Sequence, residues 1–261
     1  MKLKILHLNI ERDKHLAKVF ELVEQQKPDI ICMCEIIETD AKDIAEKFYY
    51  KMVYSPLVNS EHGSQGSAIF SKLPILESSN QRYDDKISDE LPFIDLNYNF
   101  DNGNRPADRF LYHNSVLSIV INNSIGEKIT IATTHFPVTD LETPGYEKHT
   151  FDETNDIREI NHSRIFFDRF MTIIRNLPRP IIFTADLNNP RGNYVYDNLA
   201  HELIDLTPKN IETTLDPILH RLKNSNLVVD TIMISPEIKS EDIKIVEGVS
   251  DHKALIATLA M

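Results

Sequence analysis

Six stretches of this chain share one design: an apolar run of strand length lies beside a side chain able to bind a metal or move a proton. They are Leu8-Asn9, Cys34-Glu35, the run from Ile129 to His135, the run from Ile181 through Asp186 to Asn188, Leu227-Val228-Val229-Asp230, and Asp251-His252 ahead of the last strand. Strands that are apolar at successive positions, rather than at alternate ones, are buried on both faces. Such a chain has to stack its strands between other layers, with the polar ends emerging at the margins. Strand ends gathered on one rim are where a scaffold presents side chains rigidly. Each instance alone is weak, because Asp or Asn at a strand end is usually a turn former or a helix cap. Six together are not explained that way.

The order of elements narrows the architecture. Residues 3–9 read as a buried strand, and a helix follows with Leu16, Val19, Phe20 and Val23 at helical spacing, ending before Pro28. Asp29 to Glu35 is then a second strand that stops on a carboxylate, and a second helix is expected over about residues 40–48. Beyond it helices become rare. Strand-like stretches fall at about 51–55, 67–71, 74–78, 115–122, 128–135, 180–186, 227–234 and 254–260, several joined by short turns that imply antiparallel pairing. One amphipathic helix interrupts them at about 156–176, with Phe166, Phe170, Ile173 and Ile174 on one stripe. Two polar segments, 79–113 and 138–155, read as long loops. The expected fold is α/β: a four-layered sandwich of two mostly antiparallel sheets, with helices flanking them, in a single domain over 1–261.

Charge bears on the partner. The chain carries 40 acids against 28 Lys and Arg, a net charge of −12, which disfavours tight non-specific grip on duplex nucleic acid. Trp is absent and no aromatic-plus-basic stretch suggests base stacking. Cys32 and Cys34 suit neither a disulfide framework nor a zinc knuckle and are expected to be reduced core thiols. No segment is long and apolar enough to cross a bilayer, and Met1 to His7 turns polar too soon for a signal peptide. A cytoplasmic monomer without a membrane anchor is the expectation.

The residue types suit one chemistry. A hard divalent ion such as Mg²⁺ takes oxygen ligands and keeps several waters, so one or two carboxylates and a substrate phosphate suffice. Glu35 and Asp251 offer the carboxylates, and Asn9 and Asn188 offer amide oxygens. Phosphate ester hydrolysis also needs a positioned water and donors to the phosphoryl oxygens. Asp186 can orient or deprotonate that water, and His135 and His252 can donate to the phosphate. Asp230 can hold one imidazole in the correct tautomer and raise its pKa.

These segments resemble the endonuclease/exonuclease/phosphatase superfamily, the group of DNase I, exonuclease III-type AP endonucleases and neutral sphingomyelinases. Leu8-Asn9-Ile10 is similar to its opening Asn motif, and Asp29 to Glu35 to the strand with the metal-binding Glu. Gly66 to Ile75 resembles a structural strand and turn. Thr134-His135 resembles the catalytic His motif, Ala185-Asp186-Leu187-Asn188 the Gly-Asp-Xaa-Asn motif, and Val229-Asp230-Thr231-Ile232 the Asp motif that partners a histidine. Ser250-Asp251-His252 matches the terminal signature. The order of the motifs along nearly the whole chain makes the set specific.

The resemblance implies a DNase I-like fold and a Mg²⁺ (or Mn²⁺) ion on Glu35, with Asp251 and Asn9 nearby. It implies that Asp186 and Asn188 position the attacking water and the scissile phosphate, or a second ion. His135 and His252, the latter paired with Asp230, would stabilise the phosphate or act in acid/base steps. Ala185 stands where Gly is usual and Thr231 where an aromatic is common. The phosphate-contacting Tyr or Arg of the family has three candidates here, Arg105, Arg109 and Tyr112.

The leading expectation is therefore a divalent-metal-dependent phosphodiesterase. His135 leans toward the DNase I and sphingomyelinase side, whereas the acidic charge leans away from a general DNase. A non-catalytic binding module that keeps the fold is the alternative, but degenerate members usually lose metal or water-positioning residues, and here each position is filled. A glycosidase built on paired carboxylates leaves the histidines and asparagines without a role.

Overall fold

The structure, a computed structural model, describes residues 2–60, 63–84, 113–123, 125–138, 153–223 and 225–260. Arg105, Arg109, Tyr112 and most of the two long polar segments lie outside the described residues. In chain order the elements are β1 (Lys2–Asn9), α1 (Leu16–Gln26), β2 (Ile30–Ile37), α2 (Glu38–Phe48), β3 (Lys51–Ser60), β4 (Gly63–Ser71), β5 (Ile75–Arg82) and β6 (Ser115–Asn122). They continue as β7 (Lys128–His135), α3 (Glu153–Asn176), β8 (Ile181–Asp186), α4 (Tyr194–Glu202), β9 (Ile204–Asp205), β10 (Asp230–Ile234), β11 (Lys239–Val246) and β12 (Ala254–Ala260).

The strands form two six-stranded sheets, ordered β11-β12-β1-β2-β4-β3 and β5-β6-β7-β8-β10-β9. Each is mixed, with one parallel pair near its centre, β1–β2 in the first and β7–β8 in the second. Three apolar layers hold them. Leu3, Ile5, Ile30, Leu255 and Leu259 meet Ile119, Ile131, Ile182 and Ile232 between the sheets. Leu6, Leu8, Ile31, Met33 and Phe70 on the outer face of the first sheet pack under α1 and α2 with Val19, Val23 and Ile44. On the outer face of the second, Ala132, Phe183 and Met233 pack with Phe166, Phe170 and Ile174 of α3. Burial on both faces is the reason the strands are apolar at successive positions.

Several boundaries differ from those the apolar pattern suggests. β2 does not stop at Glu35; it passes through a register shift between Met33 and Ile36 and runs on to Ile37. β10 starts at Asp230 rather than at 227. α4, β9 and β11 have no counterpart among the elements expected from the sequence. α4 opens on Tyr and Val, weak helix formers, and starts because the Asn193 side chain accepts from the Val195 amide. β11 (KSEDIKIV) is a mostly exposed edge strand, so it needs no apolar run. Both cysteines are free and buried. Among the described residues no helix is long and apolar enough to cross a membrane.

Candidate active site

The site is the continuation of the inter-sheet core. Successive side chains of a strand alternate faces, so positions two apart share one. On β1 the inward positions are Leu3, Ile5, His7 and Asn9; on β7 Ile129, Ile131, Thr133 and His135; on β8 Ile182, Thr184 and Asp186. On β10 they run from Asp230 to Ile232 and Ile234. Each series is apolar at one end and polar at the other, and the polar ends coincide. Register makes the alignment explicit, since Asp186 pairs with His135 on one side and with Asp230 on the other.

Glu35 reaches this rim by a different route. At the register shift in β2 its backbone is left-handed, with φ of 56°. A bulge of this kind redirects a side chain and is over-represented beside active sites. Asn188, two residues beyond the end of β8, is left-handed as well, with φ of 49°. Asn tolerates that region better than most residues. Here it lets the Asn188 amide donate to Asp186 Oδ1 (2.9 Å) while its side-chain nitrogen meets Phe136 O and His135 Nε2, both at 2.9 Å.

Asp186 is the hub. Asn9 Nδ2 donates to its Oδ2 at 2.9 Å, and the same Oδ2 lies 3.5 Å from His135 Nε2 and 3.8 Å from His252 Nε2. Burial alone would push this carboxyl up, but the charge of His252 and the hydrogen bonds from His135 and Asn9 outweigh it and hold it well below the usual carboxylate range. His252 is paired through Nδ1 with Asp230 Oδ2 at 2.8 Å. Burial opposes its charge, yet Asp230 and Asp186 raise it well above an ordinary histidine. His135 is raised in the same manner, with Asp186 and Glu35 overcoming burial. Two histidines, both raised, thus flank one buried carboxylate, an arrangement suited to a site that handles negative charge.

A profile of the endonuclease/exonuclease/phosphatase family matches residues 6–252, a span that includes Asn9, Glu35, His135, Asp186, Asn188, Asp230, Asp251 and His252. The chain belongs to the endonuclease/exonuclease/phosphatase family. Membership assigns it to the hydrolases of phosphoric esters. Among solved structures, it is similar to the endonuclease/exonuclease/phosphatase from Bacteroides vulgatus (14% identity, 100% of this chain and 99% of that one, TM-score 0.69). It is also similar to D. rerio TDP2 complexed with a single strand DNA product (14%, 100% and 99%, TM-score 0.65). The human nocturnin catalytic domain with bound sulfate is a further likeness (16%, 99% and 93%, TM-score 0.64). At these identities the likeness shows the DNase I-like fold. No curated protein sequence matches the chain.

Members of the family use a divalent ion, and the residues here fit one. Burial together with the charges of Glu11 and Glu35 lifts the Asp251 carboxyl to about 6, against the pull of His252. A carboxyl raised by neighbouring acids is what a hard cation relieves. Asn9 stands differently from its expected place as an oxygen ligand. Its Nδ2 donates to Glu35 Oε1 at 3.0 Å as well as to Asp186, and its Oδ1 already accepts from the Glu11 amide at 3.1 Å. It holds two carboxylates in register.

Four side chains of the site were not singled out from the sequence. Gln65 Nε2 donates to Glu35 Oε2 at 3.2 Å. Glu11 follows Asn9 in a left-handed turn, φ of 50°. His7, fully buried, places Nε2 3.3 Å from the second oxygen of Asp230. The inward parity of β1 would have found His7. His220 joins Asp251 and His252, with one nitrogen or oxygen of each within 4.8 Å of the others. A second such cluster is Asp186, Asp230 and His252.

Proposed function

We propose that residues 1–261 form one catalytic domain that hydrolyses phosphodiesters with a bound Mg²⁺ or Mn²⁺. Glu35 and Asp251 would hold the ion, with Asn9 and Gln65 fixing Glu35. When bound, such an ion acidifies water and draws charge from a phosphoryl oxygen. Asp186 stays ionised and, with Asn188 locked to it, orients the attacking water. A carboxylate held so far down is a weak base, so positioning suits it better than proton abstraction. His252 stays an imidazolium because Asp230 holds its Nδ1–H, which leaves Nε2–H to donate to the phosphate. His135 lies on the other side of Asp186 and receives the Asn188 side-chain N–H on its Nε2, which fixes Asn188 beside the water.

The observation that carries this reading is the convergence of His135 and His252 on Asp186, within 3.8 Å. A buried carboxylate set between two histidines is poorly explained by packing alone. The likenesses support phosphate chemistry: D. rerio TDP2 is complexed with a single strand DNA product and human nocturnin carries a sulfate.

The test is turnover of bis-p-nitrophenyl phosphate with Mg²⁺, with EDTA, and in Glu35→Gln and Asp186→Asn. Turnover that needs metal and is lost in both variants is the expected result. A correctly folded protein with no metal-dependent turnover of any phosphodiester would leave a binding module as the better account.

A further inference from the structure

The segment before β10 is tied to the end of the site by a series of backbone hydrogen bonds. Leu215 forms an isolated antiparallel bridge with His252. The Asp216 amide donates to Asp251 O and the Lys253 amide to Thr214 O, both at 2.7 Å. The Thr214 hydroxyl accepts from the amides of Val229 and Asp230. The Asp216 carboxylate accepts from the amides of Ile218, Leu219 and Gly248, and the His220 amide closes the turn on Asp216 O at 3.0 Å. Such anchoring is more than a surface loop requires. Its effect is to set the His220 ring, 8% exposed, edge-to-face against His252, with centroids 5.7 Å apart and planes at 82°.

His220, Asp251 and His252 together have the composition of a two-histidine, one-carboxylate metal site. The hydrogen bonding of His220 argues against that role. The Leu222 amide donates to His220 Nδ1 at 3.0 Å. A neutral imidazole that accepts at Nδ1 carries its hydrogen on Nε2, and no lone pair is left for a cation. The nitrogen still available to the site is a donor. His252 is the opposite case, because Asp230 occupies its Nδ1 from the acceptor side.

We propose that His220 is a further substrate-contacting residue, whose Nε2–H is a fixed donor to a phosphoryl oxygen of the ester bound beside His252 and Asp251. The proposal rests on the phosphodiesterase reading for its ligand, and on the Leu222 bond for its sense. A backbone amide sets the tautomer, so the donor needs no carboxylate partner of its own.

The experiment uses the full chain, its His220→Phe and His220→Gln variants, and inorganic phosphate as the probe. In wild type, nitrogen-15 NMR should show His220 protonated at Nε2 and not at Nδ1, with the Nε2 signal moving on addition of phosphate. His220→Phe should bind phosphate more weakly and lose turnover on the order of a hundredfold, the typical loss of one such donor. His220→Gln, which keeps an N–H, should recover part of both, and Mn²⁺ affinity should match wild type in each. Unchanged phosphate affinity in a folded His220→Phe, or a hydrogen on Nδ1, would overturn the proposal. So would a fall in Mn²⁺ affinity, which would make His220 a ligand. Absence of turnover in wild type would sink the phosphodiesterase reading instead, while the phosphate and NMR results would still decide His220.

Discussion

Asn9 of β1 and Asp186 of β8 meet across the gap between the two sheets, amide nitrogen to carboxylate oxygen at 2.9 Å. The same nitrogen holds Glu35 at 3.0 Å, so one buried amide links a residue assigned to the ion with one assigned to the water. Groups that orient a ligand typically cost about 10–100-fold in metal affinity or activity when removed. Asn9→Ala should fall in that range for turnover and for Mn²⁺ affinity together. Asn9→Asp should be worse, since it sets a third negative charge between two others. Its thermal stability should respond to Mg²⁺ more strongly than that of wild type. Equal thermal shifts for the two proteins would mean that Asn9 does not hold the carboxylates together.

Asp230 serves two histidines at once, His252 Nδ1 at 2.8 Å and His7 Nε2 at 3.3 Å, one on each oxygen. Asp230→Asn keeps the shape but takes away the charge and the guarantee of tautomer. Loss of turnover of about 10³–10⁴-fold is expected, as for other acid–histidine pairs. The His252 pKa, followed by NMR, should fall at the same time. A large rate loss with an unmoved His252 pKa would remove Asp230 from its assigned role.

How far the sequence foretold this site follows from the parity of its strands. His135, Asp186 and Asp230 stand at alternate positions continuing apolar series, so strand periodicity alone puts them on the inner face and at one end. Asn9 was legible in the same way, although its turning of Nδ2, not oxygen, toward the carboxylates was not. Glu35 was found by type and motif, but its left-handed backbone inside β2 leaves no periodic trace. His220 was illegible. It depends on a single bridge between Leu215 and His252 and on the Asp216 turn, contacts that no spacing rule encodes. β11 escaped for the reason that edge strands can be polar on both faces.

Gly66 tests whether the bulge in β2 really aims Glu35. It pairs with Ile36, just past the register shift, and with Pro56 on its other side. A Cβ at Gly66 would lie 2.0 Å from Ser55 O, a backbone atom with little room to retreat. Gly66→Ala must therefore push β4 away from β3 or toward β2, and overpacking of this kind costs about 1–3 kcal/mol. Urea denaturation should show that loss. Mn²⁺ affinity should fall as well, because the strain is delivered next to Glu35. Reduced stability with wild-type Mn²⁺ affinity would show that Glu35 is aimed by something other than its pairing with β4.

The raised carboxyl of Asp251 gives the protein a pH signature that metal should erase. Its folded value of about 6 lies above the ordinary 3.8, so between the two the folded chain binds a proton that the unfolded chain has released. The metal-free protein should therefore lose stability from this group as pH rises through that window, and should lose none below it. Asp186, lowered, contributes with the opposite sign, but its contribution is complete above about pH 5, so the decline from Asp251 is read in the upper part of the window. The raised histidines His135 and His252 contribute a decline of their own only as pH rises through the ordinary histidine range and beyond, above this window. A cation on Asp251 must displace its proton, so Mn²⁺ affinity should weaken by about tenfold per pH unit below the carboxyl's pKa and level off above it. Saturating Mg²⁺ should remove the decline in stability, since the bound charge replaces the proton. Asp251→Asn has nothing to titrate and should bind Mn²⁺ poorly, with little dependence on pH. Calorimetric Mn²⁺ titrations across this range decide the matter: a flat affinity in wild type would take Asp251 out of the ion's coordination.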